Sequence, residues 1–117
     1  MNTILIVDDE YLITEILGWA LEDAGYAVEK ASDGFKALDA LSAKRVDLVI
    51  TDFMMPKKNG GELVTAIREE LGLLELPVIL MSGAQANLAS PELFSAVFQK
   101  PFDADQLVAK VRELLGG

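Results

Sequence analysis

The chain has 117 residues, half of them apolar and a quarter charged, enough for one core, with 19 Asp and Glu against 10 Lys and Arg and a net charge of −9. It has no cysteine and no histidine, which excludes disulfides, thiolate metal sites, histidine acid–base catalysis and essentially all zinc chemistry. The acidic excess disfavours nucleic-acid binding; no apolar run reaches the ~18 residues of a membrane span, and Met1 to Val7 lacks the basic start and cleavage site of a signal peptide.

Short β-branched runs alternate with segments of helical period. Ile4-Leu5-Ile6-Val7 reads as a buried strand. Tyr11 to Ala24 reads as a helix, with Leu12, Ile13, Ile16, Leu17, Ala20 and Leu21 spaced for one buried stripe and Gly25 at its stop. Ala27 to Ala31 is a short strand. Phe35, Leu38 and Leu41 mark a second helix, capped by Ser32 or Asp33. Val46 to Thr51 is a third strand, and Asp52 to Lys58 is a loop containing Pro56. Asn59 and Glu62 suit a capping box for a helix ending near Leu71-Gly72. Pro77 to Met81 is a fourth strand, followed by a small, polar loop from Ser82 to Ala89. Ser90-Pro91 can open only a short helix. Val97 to Gln99 is a fifth strand, and Asp103 with Gln106 opens a last helix through Leu107, Val111 and Leu114.

Five strand–helix units in a row predict an α/β fold, a doubly wound parallel sheet with right-handed crossovers. Unbroken Ile/Val/Leu strands support burial on both faces. The placement of the polar residues is the informative feature. Asp8-Asp9, Asp52, Ser82 and Lys100 each follow an apolar strand directly, so all fall on the carboxyl edge of the sheet, where ligands bind in such folds. With strand order 2-1-3-4-5, the strands ending in Asp8-Asp9 and Asp52 flank the switch point.

Three close carboxylates repel one another and need a counter-charge. Mg²⁺ suits an all-oxygen set, Lys100 adds a positive charge, and Ser82 offers a hydroxyl. Such a constellation serves phosphoryl transfer, with Asp as a possible covalent nucleophile. No GxxxxGK[ST] or GxGxxG loop is present, so ATP is not the expected donor. Each residue also has a plainer reading. Asp8 and Asp9 can cap the helix at Tyr11, Ser82-Gly83 can be a turn, and Lys100 can be a solvated surface lysine. Their joint occurrence at strand ends outweighs those separate accounts.

Four motifs, Ile6-Val7-Asp8-Asp9-Glu10, Asp52-Phe53-Met54-Met55-Pro56 with Gly60, Met81-Ser82-Gly83 and Lys100-Pro101-Phe102, occur in this order. Together they make the chain resemble the receiver domain of two-component response regulators, over residues 1–117 and in the manner of the single-domain chemotaxis regulators. The resemblance implies a flavodoxin-like five-stranded sheet of order 2-1-3-4-5. It implies that Asp52 accepts a phosphoryl group from a phosphohistidine on a sensor histidine kinase or a histidine phosphotransfer protein. It implies Mg²⁺ on Asp9 and Asp52, with Asp8 through water and the Met54 carbonyl completing the set. Ser82 and Lys100 would contact the phosphoryl group, and Lys100-Pro101 would be a cis peptide.

The implied setting is cytoplasmic, with an unspecified downstream protein, no nucleic acid and no membrane. The family's usual inward-swinging aromatic is replaced by Val97, beside Phe98, and the stretch from Ser82 to Lys100 is short, so the helix expected there is truncated. The resemblance implies that Met54 and Ala84, two residues after Asp52 and Ser82, flank the path of the attacking water; both are apolar, so the phosphoaspartate is expected to be long-lived. The competing reading is a Mg²⁺-dependent phosphohydrolase with an Asp nucleophile. It lacks the acid/base Asp such enzymes carry where Met54 stands. A third reading, a scaffold that is never phosphorylated, is disfavoured by the complete acidic and lysine set.

Overall fold

The computed structural model describes residues 1–55, 58–83, 91–100 and 102–116. In chain order the elements are β1 (Thr3–Val7), α1 (Tyr11–Asp23), β2 (Ala27–Ala31), α2 (Gly34–Ala43) and β3 (Leu48–Asp52). There follow α3 (Gly60–Glu69), β4 (Val78–Ser82), a 3-10 turn (Pro91–Leu93), β5 (Ala96–Gln99) and α4 (Ala104–Leu115). All strand pairs are parallel and the order is β2-β1-β3-β4-β5. The expected architecture therefore holds. Between β4 and β5 the described residues form the three-residue turn, and residues 84–90 of the stretch expected to be short lie outside the described residues.

Strand geometry sends successive side chains to opposite faces, and this splits the apolar residues into two cores. Ile4 and Ile6 of β1, Leu48 and Ile50 of β3, and Ile79 and Met81 of β4 meet Leu17 and Leu21 of α1 and Leu107 and Val111 of α4. Leu5, Val7, Val49 and Val78 meet Ala37 and Leu41 of α2 and Leu63, Val64 and Ile67 of α3. Each fully buried Leu or Ile contributes about 2 kcal/mol of transfer free energy. The continuous apolar strands are thus explained for β1, β3 and β4. The edge strands β2 and β5 are half-buried.

Several boundaries differ from the sequence expectation. The stripe on α1 is displaced: Thr14, Leu17, Gly18 and Leu21 are buried, while Leu12 and Ile16 are exposed. The broad apolar band of this helix exceeds the width the sheet covers. Asp33, not Ser32, caps α2, accepting from the Lys36 N–H at 2.9 Å. Phe35 faces outward under the Lys58 ammonium, 5.1 Å from its ring centroid. β3 begins at Leu48 rather than Val46, because the Asp47 carboxylate is turned to the Thr3 N–H at 2.8 Å. The capping box at Asn59 and Glu62 is present in both directions. α3 stops at Glu69, earlier than expected, and Gly72 follows at φ +67. Asp103 caps α4 through the Asp105 N–H at 2.8 Å, one position short of the expected box. Asp52 and Ser82, expected as first loop residues, are the last residues of their strands.

Candidate functional site

The carboxyl edge is assembled by backbone bonds that fix each strand end. The Asp8 N–H donates to the Ala31 carbonyl at 3.1 Å, holding the end of β1 against β2. The Phe53 N–H donates to the Met81 carbonyl at 2.9 Å, and the Lys100 N–H to the Ser82 carbonyl at 2.8 Å. After Asp52 the chain folds back, and the Gly60 N–H donates to the Phe53 carbonyl at 2.9 Å. A Cβ on Gly60 would lie 2.8 Å from the Asp52 carbonyl oxygen and 2.9 Å from Leu80, so α3 can start this close only with glycine.

The side chains converge. Ligand oxygens of Asp8, Asp9 and Asp52 all lie within 4.8 Å of one another. Asp8 and Asp52 are buried, while Asp9 is exposed. The Lys100 ammonium is 2.9 Å from Asp52 Oδ1, 3.8 Å from Asp8 Oδ2 and 3.7 Å from Glu10 Oε1. Ser82 is buried at the end of β4, one residue past Met81, the register partner of Asp52 on β3. The plainer account of Asp8 and Asp9 as helix caps does not hold. The N-cap of α1 is Glu10, with no side-chain cap bond; Asp8 Oδ1 accepts only the Glu10 N–H at 2.9 Å.

The electrostatics follow from burial. Desolvation pushes the Asp8 carboxyl up to about 6, with the charges of Asp52 and Glu10 adding; the Glu10 N–H and Lys100 oppose the rise. Desolvation also raises Asp52, aided by Asp9 and opposed by its bond to Lys100. For Lys100, burial alone would lower the ammonium. The hydrogen bond to Asp52 and the charges of Asp52, Asp8 and Glu10 outweigh it and hold the group raised.

One ammonium does not balance three carboxylates. Asp8 Oδ2 is buried with no hydrogen-bond partner among the described residues, an expensive condition for an ionised oxygen. A hard divalent cation fits that vacancy in partners, because every side-chain donor offered is a carboxylate oxygen. A cleft of about 360 Å³, lined in part by Asp8, Asp9, Tyr11, Thr14 and Lys36, opens onto the two first carboxylates. Met54 lies two residues past Asp52 with its side chain exposed, so only its carbonyl could serve such a cation.

Residues 4–112 match the family model described as the response regulator receiver domain. The chain belongs to the response regulator receiver domain family. The receiver domain is 39% identical over 119 residues to the transcriptional regulatory protein CpxR of Escherichia coli, covering 98% of this chain and 50% of that protein. It is 31% identical to the DNA-binding dual master transcriptional regulator RpaA of Synechocystis, over 98% of this chain and 49% of that protein. The chain thus spans about half the length of the curated relatives it matches.

Among solved structures it is similar to the Francisella response regulator 1452 receiver domain, with a TM-score of 0.88 at 26% identity, over 99% of this chain and 98% of that one. It is also similar to the response regulator TrrA of Thermotoga maritima in complex with Mg²⁺–BeF, with a TM-score of 0.85 at 34% identity, over 97% of this chain and 99% of that one. The family is one of response regulators rather than a dedicated enzyme family.

The receiver domain brings Asp8, Asp9, Asp52 and Lys100 together as the sequence suggested, with Ser82 on the adjoining strand end. Pro101 and Ala84 lie outside the described residues, and with them the expected cis peptide and half of the water path. Val97 is exposed, while Phe98 packs against the α1–α4 core. Glu10 is the residue that sequence reasoning quoted but gave no role. Its adjacency to Asp8-Asp9 was the available signal. Among the described residues, no helix is long and apolar enough to cross a membrane.

Proposed function

We propose that residues 1–117 form one phospho-acceptor receiver domain in which Asp52 takes a phosphoryl group and passes the signal on by protein contact. A carboxylate oxygen of Asp52 attacks the phosphorus of a phosphohistidine. The P–N bond breaks, and its electron pair leaves with the imidazole. Lys100, already 2.9 Å from Asp52, neutralises the phosphoryl oxygens, and Ser82 donates its hydroxyl to them. Asp8, Asp9 and Asp52, with the Met54 carbonyl, would hold Mg²⁺, which supplies charge neutralisation between the carboxylates and the phosphoryl group. The observation that carries the reading is the convergence of three carboxylates within 4.8 Å beside the Lys100 ammonium.

The donor we infer is a sensor histidine kinase or histidine phosphotransfer protein. Support comes from α1, where Tyr11, Leu12, Ile16 and Trp19 are each more than half exposed next to the site. Such aromatic-rich patches suit a protein partner. A phosphohistidine relay draws on ATP, which places its work in the cytoplasm. The downstream partner is a protein responding to the added charge of about −1.5 to −2 on Asp52. Any hydrolysis is slow self-dephosphorylation, because Met54 stands where a hydrolase of this kind carries its acid/base Asp.

Intact-mass spectrometry after acetyl phosphate and Mg²⁺ tests the core of this reading. One added phosphoryl group is expected in the wild type and none in Asp52→Asn. Equal modification of both proteins would defeat the assignment.

A further inference from the structure

Three carboxylates face the Lys100 ammonium, and the proposed reaction uses only two of them. The third is Glu10, whose Oε1 lies 3.7 Å from Nζ. Its backbone serves the fold: the residue is the N-cap of α1, in extended conformation, and its N–H donates to Asp8 Oδ1 at 2.9 Å. Its side chain makes no cap bond, and the Lys100 ammonium is its described ion-pair partner. The carboxylate is also absent from the group whose oxygens lie within 4.8 Å of one another, which consists of Asp8, Asp9 and Asp52. A cation held by that trio offsets the charges of Asp8 and Asp52. It leaves the charge of Glu10 in place.

An incoming phosphoryl group must therefore win Lys100 from one remaining carboxylate. Glu10 is 64% exposed on its side chain and Lys100 25%, so their attraction is screened and easily exchanged. The same exposure places Glu10 on the solvent side, where an anionic donor arrives. Both the competition and the repulsion have one sign.

We propose that Glu10 is a positioning residue that competes with phosphoryl oxygens for the Lys100 ammonium and so weakens and slows the capture of anionic phosphoryl groups at Asp52. The inference rests on the phospho-acceptor reading above. It assigns to this chain a built-in brake next to the acceptor, carried by a side chain that the fold itself does not need.

The test is titration with fluoroberyllate in saturating Mg²⁺, followed by amide NMR, together with the rate of modification by acetyl phosphate. Glu10→Gln keeps the backbone bond to Asp8 and the start of α1. It is expected to bind fluoroberyllate about two- to fivefold more tightly at low salt and to be modified faster by a similar factor. The gain should shrink at high salt, as an exposed charge effect must. Glu113→Gln, which removes the same charge at a surface ion pair with Lys110, should match the wild type. Unchanged or weaker binding by Glu10→Gln would overturn the inference, as would a gain that ignores salt or is shared by Glu113→Gln. A wild type that binds no fluoroberyllate would instead remove the phospho-acceptor reading, and this inference with it.

Discussion

Replacing Asp8 by Asn should stabilise the metal-free protein while impairing its chemistry. The fold raises the Asp8 carboxyl from 3.8 to about 6, chiefly by burial. One pKa unit corresponds to about 1.4 kcal/mol, so ionised Asp8 costs the folded state about 3 kcal/mol at pH 7.5. The sign is that of a raised carboxyl. The folded chain binds the proton more tightly than the unfolded one. The penalty is absent below about pH 3.8, grows as pH rises towards 6, and is complete above that. Asn carries no charge and can donate to the neighbouring carboxylates, so the penalty disappears. That figure already contains the opposing attraction of Lys100, 3.8 Å from Asp8 Oδ2.

Urea denaturation from pH 4 to 8 without divalent ions is the assay. The variant should exceed the wild type by about 2–3 kcal/mol at pH 7.5, or roughly 10 °C in Tm, and the two curves should meet near pH 4. Mg²⁺ should then raise the wild type by mass action and the variant far less. A variant no more stable than the wild type at pH 7.5, or a difference independent of pH, would refute the claim that Asp8 is held ionised at a cost.

Two other changes test the parts that support the site. Gly60→Ala places a methyl 2.8 Å from the Asp52 carbonyl oxygen, against backbone that cannot yield cheaply, so a loss of about 1–3 kcal/mol is expected in urea denaturation; an unchanged midpoint would show that α3 can shift. Trp19→Ala removes the largest side chain of the exposed α1 patch. It should raise the half-saturating concentration of a phosphorylated protein donor by about tenfold while leaving modification by acetyl phosphate untouched, and equal effects on both would separate α1 from partner docking.

The fold was readable because its signals are local and repeated. Ile4 to Val7, Leu48 to Ile50 and Val78 to Met81 are continuous apolar strands, and each ends on a polar residue that topology alone carries to one edge. Periodicity failed where burial is decided by neighbours. Leu12 and Ile16 have the spacing of core residues, yet α1 turns Leu17, Gly18 and Leu21 to the sheet and leaves them out. The strand boundary at Val46-Asp47 moved because Asp47 is claimed by Thr3, 44 residues away.

By itself, then, the sequence determined the strand order of charges: which residue types stand at which strand ends, and hence that carboxylates, a hydroxyl and an ammonium share an edge. Only the tertiary structure decided their energies. Burial separates Asp8 from its exposed neighbour Asp9 and leaves one of its oxygens without a hydrogen-bond partner among the described residues; packing of Gly60 on Asp52 sets the acceptor's backbone; and the reach of Lys100 across β1 and β3 draws in Glu10. Those quantities depend on distance and dielectric, which arise only when remote segments of the chain are brought together.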